Sequence, residues 1–115
     1  MARPIKNTVD YFPHYVTSGK TMFTIEKRYG NDGYAFWFKL LEILGSSENH
    51  YIDCSSEADW LYIVDKSGMS EEKVEEILSL LAKLDAIDSE LWITSKIIWS
   101  QNFVNNLKPL YDKRT

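Results

Sequence analysis

The chain has one cysteine, Cys54, in 115 residues, only three prolines, and fewer basic than acidic side chains. A lone thiol excludes an internal disulfide, and with it the stapled scaffolds of small secreted proteins. No apolar run approaches the roughly 20 residues that span a bilayer, and Met1-Ala2-Arg3-Pro4 lacks the apolar stretch of a signal peptide. These features together lead us to expect a cytoplasmic protein. His14 and His50 are the only histidines. With Cys54 they fall short of the roughly four ligands that a zinc site takes at recognisable spacing, so no metal is expected. His50, Asp53 and Cys54 read as loop and strand filler. No P-loop or dinucleotide fingerprint is present, and no cofactor is expected. Neither histidine stands beside a serine or cysteine in a nucleophile motif, so the chain is not expected to be an enzyme.

The charge is unevenly spread. Residues 1–50 carry six Lys/Arg against five Asp/Glu, residues 51–94 three against eleven, and residues 95–115 four against one. The middle block is therefore acidic by eight charges, and the basic charge lies toward the two ends. Phosphate contacts supply most non-specific DNA affinity, so a DNA surface is expected outside the middle block.

At this length a single domain is expected, with about two thirds of the unfolded surface buried. Asp10-Tyr11-Phe12-Pro13 reads as extended, because a residue before proline avoids the α region. Tyr11, Phe12 and Tyr15 are expected to pin this arm to the body. Thr21–Tyr29 has helical spacing at Met22, Ile25 and Tyr29, with Gly30 placed to end the helix and Asn31 or Asp32 to cap the next. Gly33–Leu44 is apolar almost all round and belongs in the centre of the domain or at a subunit interface. Gly30-Asn31-Asp32-Gly33 superficially matches the GXXG loop of a KH domain, but a glycine-capped turn between helices explains it better. Tyr51–Cys54 reads as a short strand.

Glu57–Lys66, the turn Ser67-Gly68, and a second helix over Ser70–Leu84 follow. The second helix is strongly periodic at Val74, Ile77, Leu78, Leu81 and Leu84, with Ser70 as its cap. Ala86–Thr94 reads as a hairpin about Ser89-Glu90. A last helix is expected to carry Ile97, Ile98, Phe103, Val104 and Leu107, with Pro109 bending or finishing it. The pattern predicts a mainly α fold with a small β-hairpin, a winged helix-turn-helix. It divides as a winged-helix domain with an N-terminal arm over 1–94, and a C-terminal helix and basic tail over 95–115.

In a winged helix the second helix of the pair enters the major groove. Here its first turns read Ser70-Glu71-Glu72-Lys73-Val74-Glu75-Glu76, and four carboxylates face a polyanion poorly. Near a helix start they complement the dipole, which explains them without a ligand. The cationic candidates for DNA contact are Arg3 and Lys6 in the arm, Lys20, Lys27 and Arg28 on the first helix, Lys73 on the acidic helix, and Lys96 after the hairpin. Lys108, Lys113 and Arg114 add to the basic tail. Trp60, Trp92, Trp99 and Phe103 raise the question of stacking on bases, although core packing is the usual fate of such residues. Trp99 and Phe103, four apart, are candidates for a surface facing a partner.

Arg3-Pro4-Ile5-Lys6, Asp10-Tyr11-Phe12-Pro13, Lys27-Arg28-Tyr29-Gly30-Asn31-Asp32-Gly33 and Leu40-Leu41-Glu42-Ile43 form the first part of a family pattern. Leu84-Asp85-Ala86-Ile87-Asp88 and Leu91-Trp92-Ile93-Thr94-Ser95-Lys96 continue it. Over nearly its whole length the chain resembles the N-terminal domain of phage and prophage proteins related to replisome organisers and DnaD-like replication initiators. The resemblance implies a winged-helix module of a phage-type DNA replication protein that continues past residues 95–115 into a further region; the charge distribution adds that any contact with DNA is made through phosphates. The alternative is a module for protein–protein interaction or oligomerisation with little direct DNA binding, its partners being itself or other replication proteins. No membrane partner is expected.

Overall fold

A computed structural model describes residues 7–16 and 19–113. Its elements run in the order α1 (Lys20–Ser46), β1 (Ile52–Asp53), α2 (Glu57–Ser67), α3 (Glu71–Lys83), α4 (Ser89–Ser95), β2 (Ile97–Ile98) and α5 (Gln101–Asp112). The protein is mainly helical, with a small two-stranded antiparallel sheet, an arrangement consistent with a winged-helix-like fold. The two helices expected over Thr21–Tyr29 and Gly33–Leu44 are the two halves of α1. Gly30, at φ 64° and ψ −147°, breaks the helical path between them. That backbone conformation is essentially confined to glycine.

The second half of α1 lies in the centre, where Phe36, Leu40, Leu41, Ile43 and Leu44 are buried. Val74, Ile77, Leu78 and Leu81 of α3 face the same core, the stripe that the spacing predicts. At the start of α3 the Ser70 hydroxyl accepts the Lys73 amide at 3.2 Å. The sheet is not local in sequence: Ile52 pairs with Ile98 and Asp53 with Ile97. The Cys54 amide donates to the Lys96 carbonyl at 2.8 Å and extends the ladder by one bond.

Ala86–Thr94 does not form the expected hairpin. Ser89 and Glu90, read as its turn, are the first turn of α4. The reason is local: the Asp88 carboxylate caps the helix by accepting the Leu91 amide at 2.9 Å. Alternation of Leu91 and Ile93 suggests a strand, yet Trp92 is the buried residue, at 3% exposure, and Ile93 is 68% exposed. What remains of a sheet here is one bond, from the Asp88 amide to the Trp99 carbonyl at 2.7 Å. A helix thus occupies the chain position of a wing.

The last helix also begins later than its spacing suggests. Ile97 and Ile98 form β2, and the Ser100 hydroxyl, accepting the Phe103 amide at 3.2 Å, starts α5. Pro109 does not finish α5 at its own position: the helix continues to Asp112. Pro109 and Asn105 are both exposed, so water can satisfy the carbonyl that a proline leaves without its amide.

Ahead of α1, the Val9 amide donates to the Gly45 carbonyl at 2.8 Å, and the Val9 side chain enters the core. Phe12 packs edge-on against Phe103 at 5.4 Å between ring centres. Of the three aromatics expected to pin this arm, only Phe12 does so, since Tyr11 and Tyr15 are both exposed. Val9 and His14 take their places, the His14 ring stacking on Phe38 at 3.9 Å. His50 ties the end of α1 to α5. Its Nδ1 lies 2.9 Å from the Leu44 carbonyl, and its Nε2 is hydrogen-bonded to the Tyr111 hydroxyl.

Candidate functional site

The packing of α1 against α3 places two of the sequence candidates together. Arg28, from the first half of α1, and Lys73, from the first turn of α3, line one open groove of about 410 Å³. Tyr29, Asp32, Gly68, Met69 and Ser70 complete its walls. Gly68 takes φ 71° at the end of α2, the left-handed conformation that lets the chain turn tightly into α3. The amides at the start of α3 carry the positive end of the helix dipole toward this groove. The Lys73 ammonium is steered by two neighbours: it lies 3.8 Å from Glu76 Oε2 and 5.5 Å from the centre of the Tyr29 ring. Exposed pairs of this kind contribute about 0–1 kcal/mol and leave the lysine free to exchange partners.

Lys20 and Lys27 are exposed on the same half of α1 as Arg28 but do not line this groove. Arg3 and Lys6 lie outside the described residues, as does Arg114. Lys96 goes elsewhere. It ends α4 in the left-handed conformation, at φ 55°, and its ammonium lies 4.6 Å from the centre of the Trp92 ring. It therefore belongs to the acidic side of the molecule.

The carboxylates of α3 are divided between two sides of the helix. The Glu76 carboxylate accepts the Tyr29 hydroxyl at 3.0 Å. The Tyr29 hydroxyl is held above its ordinary pKa, by burial first and then by the bond to Glu76. The Glu71 carboxylate accepts the Trp60 indole N–H at 2.6 Å and, with Glu75, lines a second groove. Two of the four acidic side chains are thus hydrogen-bonded to aromatic groups.

The surface expected from Trp99 and Phe103 is corrected at one residue. Phe103 is 5% exposed and belongs to the core, where it meets Phe12 and His50, so its ring is not offered to a partner. A core stripe and a surplus of apolar width look alike in sequence, and the arm that covers Phe103 arrives through Phe12, from the opposite end of the chain. Trp99 is half-buried, its indole N–H 3.4 Å from Gln101 Oε1.

The groove around Trp60 and Trp92 is not visible in the sequence as a site. Each residue reads there only as an aromatic candidate for stacking or core, and nothing in their spacing brings them together. Among the described residues no group of three or more His, Cys, Asp or Glu side chains is arranged to hold a metal ion. Among them, too, no helix is long and apolar enough to cross a membrane. A family model described as Lin1244/Lin1753-like, N-terminal, matches residues 11–103. No curated protein and no solved structure matches the chain.

Proposed function

The chain belongs to the Lin1244/Lin1753-like N-terminal family, and from that premise we propose that it is the N-terminal, winged-helix-like module of a phage-type DNA replication protein. In this reading it acts without catalysis in the cytoplasm and contacts DNA through phosphates. The observation that carries the reading is the meeting of Arg28 and Lys73 in one groove beside the Ser70-capped start of α3. Two cations from separate helices, set against helix amides, suit a phosphate oxygen better than a base edge. Lys27 and Lys20 extend the basic side along α1. The exposed carboxylates of α3 oppose deep entry of that helix into a major groove. The module therefore rides on the backbone with α1 and the first turn of α3, and binds with little sequence preference.

Fluorescence anisotropy of labelled duplex and single-stranded DNA, titrated at low and moderate salt, tests this. Binding is expected to weaken steeply with salt, and Arg28→Ala with Lys73→Ala is expected to lower both affinity and the salt slope. Lys20→Ala with Lys27→Ala is expected to have the smaller effect. Unchanged affinity and slope in the Arg28/Lys73 variant would remove the groove from the account.

A second reading, docking onto a partner protein, has its own observation in the acidic groove beside Trp60 and Trp92.

A further inference from the structure

On the other side of the first turn of α3 from Lys73, the indoles of Trp60 (α2) and Trp92 (α4) stand 6.4 Å apart, tilted by 37°. With Cys54, Glu71, Glu75 and Lys96 they enclose a groove of about 200 Å³. The Trp60 N–H holds one Glu71 oxygen in place. Among the described residues no cation lies within ion-pair distance of Glu71 or Glu75. Asp53 and Asp59 stand near enough to Cys54 to raise its thiol pKa further, beyond what burial does, and Lys96 opposes them. Two aromatic faces with carboxylates at the rim are the chemistry that recognises an ammonium or guanidinium group.

One cation of the chain already occupies such a position. The Lys96 ammonium sits over the Trp92 ring, and Trp92 is otherwise buried beneath it. Lys96 is itself exposed, at the end of a seven-residue helix, and its flexible stem can swing into solvent. The surrounding block, residues 51–94, holds three Lys/Arg against eleven Asp/Glu, so a positively charged segment is drawn to this face from a distance.

We propose that the Trp60/Trp92 groove binds a lysine or arginine side chain from a basic segment of a partner protein, and that Lys96 is a placeholder which the incoming cation displaces from Trp92. This surface is separate from the Arg28/Lys73 groove, and the proposal does not depend on DNA binding. The displacement makes the site competitive: the intramolecular lysine weakens the capture of isolated cations and favours segments that bring several charges to the acidic face together.

The test is a titration of the whole chain with octalysine, read by tryptophan fluorescence and by the indole N–H resonances of Trp60 and Trp92. Octaglutamate serves as the control. Octalysine is expected to shift both resonances. Glu71→Gln with Glu75→Gln is expected to weaken binding about tenfold, since the amide introduced at position 71 keeps an acceptor for the Trp60 indole while both charges are lost. Lys96→Gly removes the placeholder and suits the left-handed backbone at φ 55°, and it is expected to tighten binding several-fold. Binding that ignores the two glutamates, or that weakens in Lys96→Gly, would overturn the proposal. So would the lack of any octalysine response, and self-association that Glu71→Gln and Glu75→Gln abolish would then put a second copy in the groove. The Arg28/Lys73 variant is expected to bind octalysine as the unaltered chain does, so failure here is separable from failure of the DNA reading.

Discussion

The Tyr29 hydroxyl donates a 3.0 Å hydrogen bond to Glu76 Oε1 across 47 residues of sequence. It links the first half of α1 to the exposed side of α3 just where Lys73 reaches over the Tyr29 ring. A helix start crowded with carboxylates looks uniformly hostile to phosphate when read as a string. In the fold, Glu76 is engaged beside the basic groove and Glu71 is turned toward Trp60 on the opposite side. The repulsion is therefore directional: Asp32 lines the Arg28/Lys73 groove beside two cations, whereas Glu71 and Glu75 both line the groove beside Trp60.

That bond gives an alkaline signature. The pKa of Tyr29 is raised above its ordinary value of 10.0, by burial and then by Glu76. A group with a raised folded pKa contributes stability that is complete below the unfolded value and is lost as pH rises through the folded one. Urea midpoints are therefore expected to fall as pH climbs above about 10. In Tyr29→Phe the fall should be shallower. Equal alkaline slopes in the two proteins would show that Tyr29 does not titrate differently on folding.

Gly30 and Gly33 should fail for different reasons. At Gly30 an added Cβ meets nothing within 4 Å, but the backbone at φ 64° and ψ −147° is strained for any other residue. At Gly33 the added Cβ would lie 2.8 Å from both Ile25 Cγ2 and Tyr29 Cβ, and 2.9 Å from the Ile25 carbonyl oxygen. Alanine at either position is expected to cost about 1–3 kcal/mol, through backbone strain at Gly30 and overpacking at Gly33. Urea denaturation measures both. An unaffected Gly33→Ala would mean that the two halves of α1 do not approach each other as closely as described.

Cys54 is expected to be inert in the folded protein. Burial, then the nearby Asp53 and Asp59 charges, push its thiol up to about 12. Since the thiolate is the reacting form, alkylation by iodoacetamide near neutral pH should be slow until the chain is unfolded in urea. Mass spectrometry of timed samples follows the reaction. Rapid modification without denaturant would contradict the half-buried, neutral thiol that forms part of the groove beside Trp60 and Trp92.

The helices of this protein are largely written in local sequence. The leucine and isoleucine spacing of α3, the Ser70 cap, the break at Gly30 and the turn at Gly68 are legible because each depends on neighbours within about one or two helical turns. Ambiguous local signals mislead. Leu91 and Ile93 alternate like a strand, but the Asp88 cap and the buried Trp92 make α4. Phe103 sits on a wide stripe that looks like surplus surface until Phe12 covers it.

Charge by segment is equally visible in the sequence, and it separates an acidic centre from basic ends. Partnership is not. Arg28 meets Lys73 across 45 positions of chain, Trp60 meets Trp92 across 32, and Ile52 pairs with Ile98 across 46. Periodicity carries information over a few turns of helix, and composition carries the sum of charge. Neither records which exposed faces are brought opposite each other, because that depends on how all the buried stripes pack together into a single core.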